Sequence, residues 1–551
     1  MKKTALLFTL LGFLCINSKI ITVNAQPPSW LWAKSAGDAS YDYAQSVTAD
    51  SLGNSYVTGY FNMSITFDVN HTFFSNGSAD LYIVKYDPVG NVIWVKSAGG
   101  NDFDISTSVA VDKLGNVYLT GYFKSSSLTF GSTTLVNAGG SSYDIFIVKY
   151  DPDGNVLWAQ SIGGTGDDRG YCIAVDDPGN IFIAGYFFSP TIMIGTFTLT
   201  NNGFSDIFIA KYTTDGTALW VNSPVGPGWE YIYGVAVDHS GNSFIAGKLN
   251  GNTLTFGTIV LVKVANHDMF VAKYSSTGQV LWAKNAGVSG DNSSNFVAAD
   301  IYGSCFVTGR FGGNSITFGS FTLTNAGNGD VFLVKYDVPG NVIWAKSAGG
   351  AQNDEAYSVT ADKSGYIYAA GYFKSVSIDF GSNVLTNISS SGTADMFITE
   401  YDPDGNNIWA LSAGGTGDEI AYSVAVDSLR NSFSAGYIGS STVVFGNTTL
   451  SSNGSTDMFV AKTDNLPVSI KENQSSGDYF SVFPNPANDF LLINVPSMSS
   501  VEILNARGQV CKKLTNHLSE TKIDISELTG GLYLIKVTKG NEILTSKFIK
   551  E

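Results

Sequence analysis

The fold of this chain is decided by the stretch Asp144-Ile-Phe-Ile-Val-Lys-Tyr-Asp-Pro-Asp-Gly-Asn-Val-Leu-Trp158. Residues 145–150 are a β-branched and aromatic run of strand length, and residues 156–158 begin a second apolar run. Between them, Pro152 fixes φ at the first position of a turn and Gly154 tolerates positive φ. We therefore predict a β-hairpin. It is apolar on both faces, so another part of the chain must cover each face.

The unit recurs seven times in the sequence, so we expect each face of one hairpin to be covered by a neighbouring copy. Each copy carries a tryptophan at the start of its last strand, and successive tryptophans lie 62 to 65 residues apart. They are Trp32, Trp94, Trp158, Trp220, Trp282, Trp344 and Trp409. Each full copy also contains a Gly-rich loop and four main strand runs, including Ser108-Val-Ala-Val-Asp112 and the run at residues 117–123. Four-stranded sheets repeated around an axis predict an all-β fold, a seven-bladed β-propeller.

The two ends of the repeat region complement each other. The first copy begins with its final strand at residues 30–34, whereas the last copy stops after residues 457–462 without that strand. We therefore expect residues 26–464 to form one ring closed by the N-terminal strand, which leaves no open sheet edge at the join. An open β-solenoid remains the alternative, while the lack of 3.6-residue periodicity excludes a helical solenoid.

The repeat resembles a known family. Its pattern is Trp-Ala-Lys-Ser-Ala-Gly-Gly, then Ser-Val-Ala-Val-Asp, then Gly-Asn-Val-Tyr-Leu-Thr-Gly-Tyr-Phe, then Asp-Ile-Phe-Ile-Val-Lys-Tyr-Asp. This pattern is similar to the bacterial seven-bladed-propeller (SBBP) repeat, and the resemblance covers about residues 30–464. It implies the propeller fold. The family carries no assigned catalytic residues, so the resemblance implies no reaction.

The first 25 residues read as a secretory signal peptide. Lys2 and Lys3 form the charged start, residues 5–16 the apolar core, and Val23-Asn-Ala25 the small-residue exit. The apolar run is too short for a transmembrane anchor and is followed at once by Asn17 and Lys19. We expect no membrane-spanning segment once this signal is removed.

A second module follows a polar linker at residues 465–478. Short alternating runs separated by turn residues predict a small Ig-like β-sandwich at residues 479–551. This module closely resembles the type A C-terminal sorting domain of the type IX secretion system. The motif residues that carry the likeness include Pro484, Asn485, Pro486, Gly531, Tyr533 and Lys547. The resemblance implies that this module engages the secretion machinery and that the protein is secreted or reaches the outer-membrane surface of a Gram-negative bacterium.

Composition limits the partners. The formal net charge is -16, so nucleic acid and anionic lipid are poor partners for this surface. Three cysteines remain after signal removal, namely Cys172, Cys305 and Cys511. We expect them to be reduced, because the first two fall in strands of non-adjacent blades.

Neither a catalytic set nor a metal cluster is visible in the sequence. The four histidines occupy unrelated repeat positions, and the strand-end aspartates recur in every copy, as turn or capping groups would. The segments Asp151-Pro-Asp-Gly-Asn155 and Asp402-Pro-Asp-Gly-Asn406 lack the third carboxylate and distal Glu of an EF-hand loop. We therefore expect no catalytic residue, no metal and no cofactor. A calcium ion on the acidic loops is the alternative left open.

The two faces of the predicted ring differ in their connections. All length variation between copies falls on one face, which also carries the acidic blade-to-blade loops; we call it the loop face and the opposite one the turn face. Because binding sites usually lie on loops held by a scaffold, we predict ligand contact by Trp229, Glu230, Asp167 and Asp168. Two functions stay open: a secreted propeller that binds glycan or protein, or serves as a structural module, and a propeller-type polysaccharide hydrolase or lyase.

Overall fold

The structure is a computed structural model that describes residues 27–264, 266–287, 290, 292–389, 392–464, 481–494, 500–505, 510–514, 520–539 and 542–550. Within these ranges every regular element is a β-strand. The chain forms two compact units, Met1–Ser469 and Ile470–Glu551. The predicted signal peptide at residues 1–25 and the linker at residues 465–478 lie outside the described residues.

The first unit contains seven antiparallel sheets of four strands, which confirms the predicted fold class. We number them blades 1 to 7 and name their strands inner, second, third and outer. The inner strands are Asp42–Ala49, Asp104–Val111, Asp168–Val175, Glu230–Val237, Asn292–Ala299, Asp354–Ala361 and Glu419–Val426. The second strands are Ser55–Phe61, Val117–Phe123, Ile181–Phe187, Ser243–Leu249, Cys305–Phe311, Ile367–Phe373 and Ser432–Ile438. The third strands are Asp80–Tyr86, Asp144–Tyr150, Asp206–Tyr212, Asp268–Tyr274, Asp330–Tyr336, Asp395–Tyr401 and Asp457–Thr463. The outer strands are Val92–Ala98, Val156–Ile162, Ala218–Asn222, Val280–Gly287, Val342–Ala348, Asn407–Ala413 and, in blade 7, Trp30–Ala36.

The N-terminal strand closes the ring. Trp30–Ala36 pairs antiparallel with the third strand of blade 7 and places Trp32 opposite Lys462. An apolar cluster that includes Trp32, Val57 and Phe433 then fills the space between blades 7 and 1. Equivalent clusters fill the other six blade-to-blade interfaces. Each two-faced apolar sheet is thus covered by its neighbours on both sides.

The recurring tryptophan and lysine fix each blade to the next. The Trp94 indole donates a hydrogen bond of 3.1 Å to the Pro152 carbonyl, in the third-to-outer turn of the following blade. Lys85 Nζ reaches the same carbonyl at 3.1 Å. Five other tryptophans make the equivalent bond at 3.0 to 3.2 Å. The tryptophan and lysine that recur in the repeat therefore bond one blade to the next, and they do not form a separate site on each blade.

Each blade also carries a short hairpin between its second and third strands, in addition to the four main strands predicted. The hairpins are Ser64–Asp68 with His71–Phe74, Ser127–Phe130 with Thr133–Val136, Thr191–Ile194 with Phe197–Thr200, Thr253–Phe256 with Ile259–Val262, Ser315–Phe318 with Phe321–Thr324, Ser377–Asp379 with Val384–Thr386, and Thr442–Phe445 with Thr448–Ser451. Leu128 and Phe130 alternate with exposed residues and are buried in the core between blades 1 and 2. The alternation of exposed and buried residues is that of a β-strand, although the segment is too short to be recognised as a strand from the sequence.

The second unit is a sandwich of two sheets, as predicted. One sheet contains Ser481–Phe483, Phe490–Asn494 and Glu520–Asp524, and the other contains Ser500–Asn505, Val510–Leu514, Gly531–Lys539 and Glu542–Lys550. Leu491, Ile503 and Ile535 are among the side chains buried in its core. The sequence did not predict the strand Val510–Leu514. It lies at the edge of its sheet and is largely exposed, so its sequence lacks apolar alternation.

The state of the cysteines can be tested with a thiol reagent. Cys172 and Cys305 are 1% and 0% exposed in blades 3 and 5, and Cys511 is exposed. Burial raises the pKa of both propeller thiols, which further suppresses the reactive thiolate. We expect the mature chain to titrate one thiol with Ellman's reagent when folded and three in guanidinium. A second thiol that reacts in the native protein would contradict the blade assignment.

An ion cluster joins the closing blade to blade 6 and can be tested by substitution. Arg430 has φ of 67°, where the other six blades have glycine with positive φ. Its guanidinium pairs with Asp362 at 2.7 Å and with the buried Glu400. We expect Arg430→Gly to lower the free energy of unfolding by about 2–4 kcal/mol, because relief of backbone strain offsets only part of the loss of a partner for two buried carboxylates.

Urea denaturation measures this effect, and Lys374→Ala is the matched control. Lys374 lies 3.8 Å from Asp418 and both side chains are about a third or more exposed, so its loss should cost less than about 1 kcal/mol. Equal destabilisation by the two substitutions would show that the Arg430 cluster does not stabilise closure.

Candidate functional site

The inner strands surround a central cavity of about 490 Å³. Every inner strand has a register shift after its third residue, as between Gly170 and Cys172 in blade 3. Such a bulge leaves one residue without a partner and re-aims its side chain, here toward the axis. The seven bulged residues are Gln45, Thr107, Tyr171, Tyr233, Asn295, Tyr357 and Tyr422, and all of them line the cavity. One position of the repeat therefore lines the cavity in every blade.

A second ring of side chains comes from the second strands, one residue after the recurring glycine. Its members are Tyr60, Tyr122, Tyr186, Lys248, Arg310, Tyr372 and Tyr437. The two rings form contacting arcs of tyrosines. In one arc Tyr357 lies 5.1 Å from Tyr422, and Tyr422 lies 5.7 Å from Tyr437, between ring centroids. In another, Tyr171 lies 5.3 Å from Tyr233. We call the two rings together the tyrosine channel.

Burial keeps these tyrosines neutral. It raises the pKa of Tyr171, Tyr357 and Tyr422 well above the usual range of a phenol, and neighbouring tyrosines and acidic groups add to the effect. Each phenol then keeps its proton at any physiological pH and can both donate and accept a hydrogen bond. The channel therefore combines aromatic surface with hydroxyl groups.

Polar side chains interrupt the tyrosines on the side of blades 4 to 6. Asn295 donates from Nδ2 to Glu355 Oε1 at 2.8 Å, and the Tyr372 hydroxyl donates to Glu355 Oε2 at 3.3 Å. Lys248 lines the same cavity. At blade 3 the Arg169 guanidinium lies between the rings of Tyr122 and Tyr143, 4.9 and 4.7 Å from their centroids. The symmetric scaffold thus carries an asymmetric set of polar groups at its axis.

A second cavity of about 430 Å³ lies on the turn face, among the turns between inner and second strands. Asp177 there pairs with Lys113 at 2.8 Å and with His239 at 2.5 Å. The Lys113 and His239 side chains are 65% and 67% exposed, so solvent screens these pairs. This cavity contains no aromatic arc of the kind found in the tyrosine channel.

Trp229 and Asp167, two of the four predicted ligand residues, are accessible on the loop face. Trp229 is 51% exposed and packs edge-on against Phe204, with ring centroids 5.4 Å apart. Asp167 accepts a hydrogen bond from the Tyr143 amide at 3.2 Å and lies 3.7 Å from Arg169. Neither residue lines the tyrosine channel. Their contact with a ligand stays a prediction.

Asp168 and Glu230 are fully buried, which corrects the expectation that they contact ligand. Each is the first residue of an inner strand and anchors the loop of its own blade. Asp168 Oδ2 accepts hydrogen bonds from Gly164 N at 2.9 Å and from Ser189 Oγ at 2.6 Å. Five other blades have Asp, Glu or Asn at this position, ten residues after the tryptophan. This recurrence is visible in the sequence and indicates that the residue belongs to the scaffold.

No metal set is found where the sequence left calcium open. Among the residues that the structure describes, no group of three or more His, Cys, Asp or Glu side chains could hold a metal ion. Asp151, in the segment that lacks an EF-hand ligand set, uses Oδ1 to accept from Asp153 N and Asn155 N at 2.9 and 2.8 Å, as predicted for a turn. It is a turn residue, and so is Asp402 in blade 6.

The motif residues of the second unit hold its strands together. Asn485 receives a 2.9 Å hydrogen bond from Ile549 N and donates to the Lys547 carbonyl at 3.3 Å. Tyr533 stacks on Phe548 with centroids 5.5 Å apart and donates to the Thr529 carbonyl at 2.8 Å. Gly531 begins the same strand as Tyr533, and Pro484 and Pro486 flank Asn485. Within the described ranges, no helix offers the length and apolar character needed to cross a membrane.

Comparison with known families finds matches in both units. Residues 481–551 match the secretion system C-terminal sorting domain. Residues 31–60 match the beta-propeller repeat named SBBP, and residues 191–218 match a beta-propeller domain of unknown function, DUF5122. These matches fall in the same two parts of the chain as the two folded units.

This chain spans only about a third or less of the length of the curated relatives that it matches. An uncharacterized WD repeat-containing protein, L264, of Acanthamoeba polyphaga mimivirus is 25% identical over 489 residues, which cover 72% of this chain and 35% of the viral protein. The regulatory protein FlaEY of Caulobacter vibrioides is 29% identical over 141 residues, which cover 25% of this chain and 15% of that protein. Among solved structures, Sqt1 from Chaetomium thermophilum is 9% identical with a TM-score of 0.36, over 78% of this chain and 87% of that one.

The folds of the two units agree with the families that they match, and the sorting domain indicates where the protein is sent. The chain is an SBBP-repeat β-propeller with a C-terminal sorting domain of the type IX secretion system, secreted or held at the cell surface of a Gram-negative bacterium.

Proposed function

We propose that the propeller is an extracellular glycan-binding module and that its ligand enters the tyrosine channel. The observation that carries the proposal is the arc of neutral tyrosines, with Asn295 and Lys248 beside it, around one cavity. Aromatic faces pack against the C–H faces of sugar rings, while phenol, amide and ammonium groups hydrogen-bond to sugar hydroxyls. A cavity of about 490 Å³ also lies in the range of small-molecule sites.

The shape of the site favours a glycan over a protein partner. A specific protein–protein interface buries roughly 800 Å² on each partner. The tyrosine channel is instead a concave cavity at the axis, where the end or a short segment of a saccharide chain fits. The two charged groups that line the cavity, Lys248 and Glu355, lie at blades 4 and 6 with Asn295 between them, and they would then orient the sugar.

The number of carboxylates that line the cavity favours glycan binding over glycan hydrolysis. Glycoside hydrolases of the usual kind place two carboxyl groups across the scissile bond. Glu355 is the only carboxylate among the residues that line the cavity, and both of its oxygens already accept hydrogen bonds from Asn295 and Tyr372. A polysaccharide hydrolase or lyase is the alternative, and release of reducing or unsaturated sugar ends would support it.

Substitution of channel tyrosines tests the binding site. We expect Tyr171→Ala and Tyr357→Ala each to weaken binding of the best ligand from a glycan array about tenfold, because each removes an aromatic face worth roughly 1 kcal/mol or more. Isothermal titration calorimetry of the purified protein measures the change.

Tyr302→Ala is the control for that experiment. Tyr302 is 69% exposed in a turn on the opposite face, so its loss should leave the affinity unchanged. Binding that survives both channel substitutions but fails in Tyr302→Ala would place the ligand on the turn face and refute the proposal.

The role of the second unit is tested by its removal. We expect a chain truncated after residue 478 to fold its propeller but to accumulate in the periplasm, because the sorting domain directs export by the type IX machinery. Cell fractionation and immunoblotting measure this. Cys511→Ser, a change at an exposed position of the same unit, should be exported normally. Surface appearance of the truncated chain would contradict the assignment.

A further inference from the structure

Blade 4 carries an aromatic side chain at three alternate positions that lead from the loop face into the tyrosine channel. Trp229 directly precedes its inner strand, Tyr231 is the second residue of that strand, and Tyr233 is the bulged residue that lines the cavity. Tyr231 stacks on Tyr233 with ring centroids 6.2 Å apart and ring planes 14° from parallel. The intervening Glu230 and Ile232 are fully buried, so only the three rings of this segment remain accessible. We call these three rings the aromatic strip.

The backbone fixes the outer end of the strip, although half of Trp229 is exposed. The Gly228 carbonyl accepts hydrogen bonds from the amides of Phe204 and Ser205 at 3.1 and 3.2 Å. A Cβ atom on Gly228 would lie 2.4 Å from the Cα of Gly251, so the two backbones are in close contact on that side. The Phe204 ring of blade 3 packs edge-on against the indole. A ring that is already ordered loses little conformational entropy when a ligand packs on it.

The strip departs from the repeat, so the scaffold does not require it. Blade 1 has the stacked pair Tyr41 and Tyr43 at the first two positions but Gln45 at the bulge. Blade 2 has Phe103 at the first position and no aromatic residue at the next two. The other four blades carry a polar residue where blade 4 carries Trp229, namely Asp167, Asp291, Asn353 and Asp418. An exposed tryptophan that the scaffold does not require indicates a binding surface.

The strip is continuous with the channel and is one ring wide. Tyr231 lies opposite Lys248 in the sheet of blade 4, and Lys248 lines the cavity, so both belong to one wall. The three rings come from one segment of the backbone and therefore form a single row. A row of rings fits one unbranched chain, whereas a specific protein partner would need a surface of roughly 800 Å².

We propose that the aromatic strip guides an unbranched polysaccharide chain from the tyrosine channel across blade 4 to the loop face. The strip extends the glycan site proposed above, on which this assignment rests, and it adds the length and the path of the chain. The cavity of about 490 Å³ takes a short segment, and the strip continues its wall outward by roughly 13 Å of extended backbone. Each ring offers a flat apolar face to the C–H face of a sugar. The ligand is therefore a polymer that contacts the protein over several sugar units.

Oligosaccharides of two lengths test this path by isothermal titration calorimetry. We expect the mature chain to bind a hexasaccharide of the cello-, xylo-, manno-, laminari- or galacturonate series more tightly than the disaccharide of the same series. Trp229→Ala should weaken binding of that hexasaccharide about tenfold, because one aromatic face is lost. It should leave the affinity for the disaccharide unchanged, because the disaccharide fits within the channel.

Two further variants are the controls. Tyr41→Ala removes a side chain that is also 51% exposed, at the same position of blade 1. It should leave both affinities unchanged, since Gln45 interrupts the rings of that blade. Trp229→Phe keeps an aromatic face and should retain most of the affinity for the hexasaccharide. It should lose the change in tryptophan emission that the hexasaccharide produces in the unaltered chain, because the half-exposed indole is gone.

Failure of the strip and failure of the channel give different results. Equal binding of hexasaccharide and disaccharide, or an unchanged hexasaccharide affinity in Trp229→Ala, would overturn the strip while the channel still binds glycan. A loss of affinity in Tyr41→Ala instead of Trp229→Ala would place the chain on blade 1 and overturn the assignment to blade 4. Binding of a branched glycan on the array, but of none of the five hexasaccharides, would also overturn the strip alone. No binding to any glycan on the array would overturn both.

Discussion

The whole propeller depends on one constraint: each four-stranded sheet is apolar on both faces and is stable only between two neighbours. The third strands, such as Asp144–Tyr150, are buried along their full length. Each of the seven interfaces has its own apolar cluster, so the core of this unit is divided into seven parts around an axis. The tryptophan indole and the buried lysine ammonium add directional bonds to the next blade, which fix the angle at which the sheets pack. A ring satisfies the constraint at every blade, whereas an open array would leave two faces uncovered.

The constraint is hardest to satisfy where the chain ends meet. Six tryptophans donate to a carbonyl in the third-to-outer turn of the next blade, but blade 7 takes its outer strand from the N-terminus and lacks that turn. Trp409 therefore donates to the Glu400 carboxylate within its own blade. Glu400 replaces the lysine of the other blades, and Arg430 from blade 7 supplies the positive charge that lysine would have brought. The departures from the repeat at these positions are thus compensations for closure.

Recurrence in the sequence was sufficient to predict the ring, and the two places where the prediction failed have separate causes. Trp, Asp and Gly anchors at fixed spacing are required in every blade, so the pattern of seven copies predicted blades, turns and closure. Asp168 and Glu230 were misassigned because adjacent blades differ between Asp and Glu, which hid a scaffold position that also recurs. The bulged residues, such as Tyr171, were missed because a register shift turns a residue to the axis without altering the alternation that sequence patterns record.

The same bulge explains why function can concentrate at the axis of a repetitive scaffold. A side chain released from the alternation of its strand lies at the axis, where it contacts the next blade, as Tyr171 contacts Tyr233 and Thr107 donates to the Gly170 carbonyl. In this chain that position holds Gln45, Thr107, Asn295 and four tyrosines, whereas Ala44 before it and Val47 two residues after it are buried small or β-branched residues like their counterparts in other blades. The buried positions that all blades share thus stabilise the ring. The bulged position varies between blades, and the seven inner strands bring it close enough to the axis to contact a single ligand.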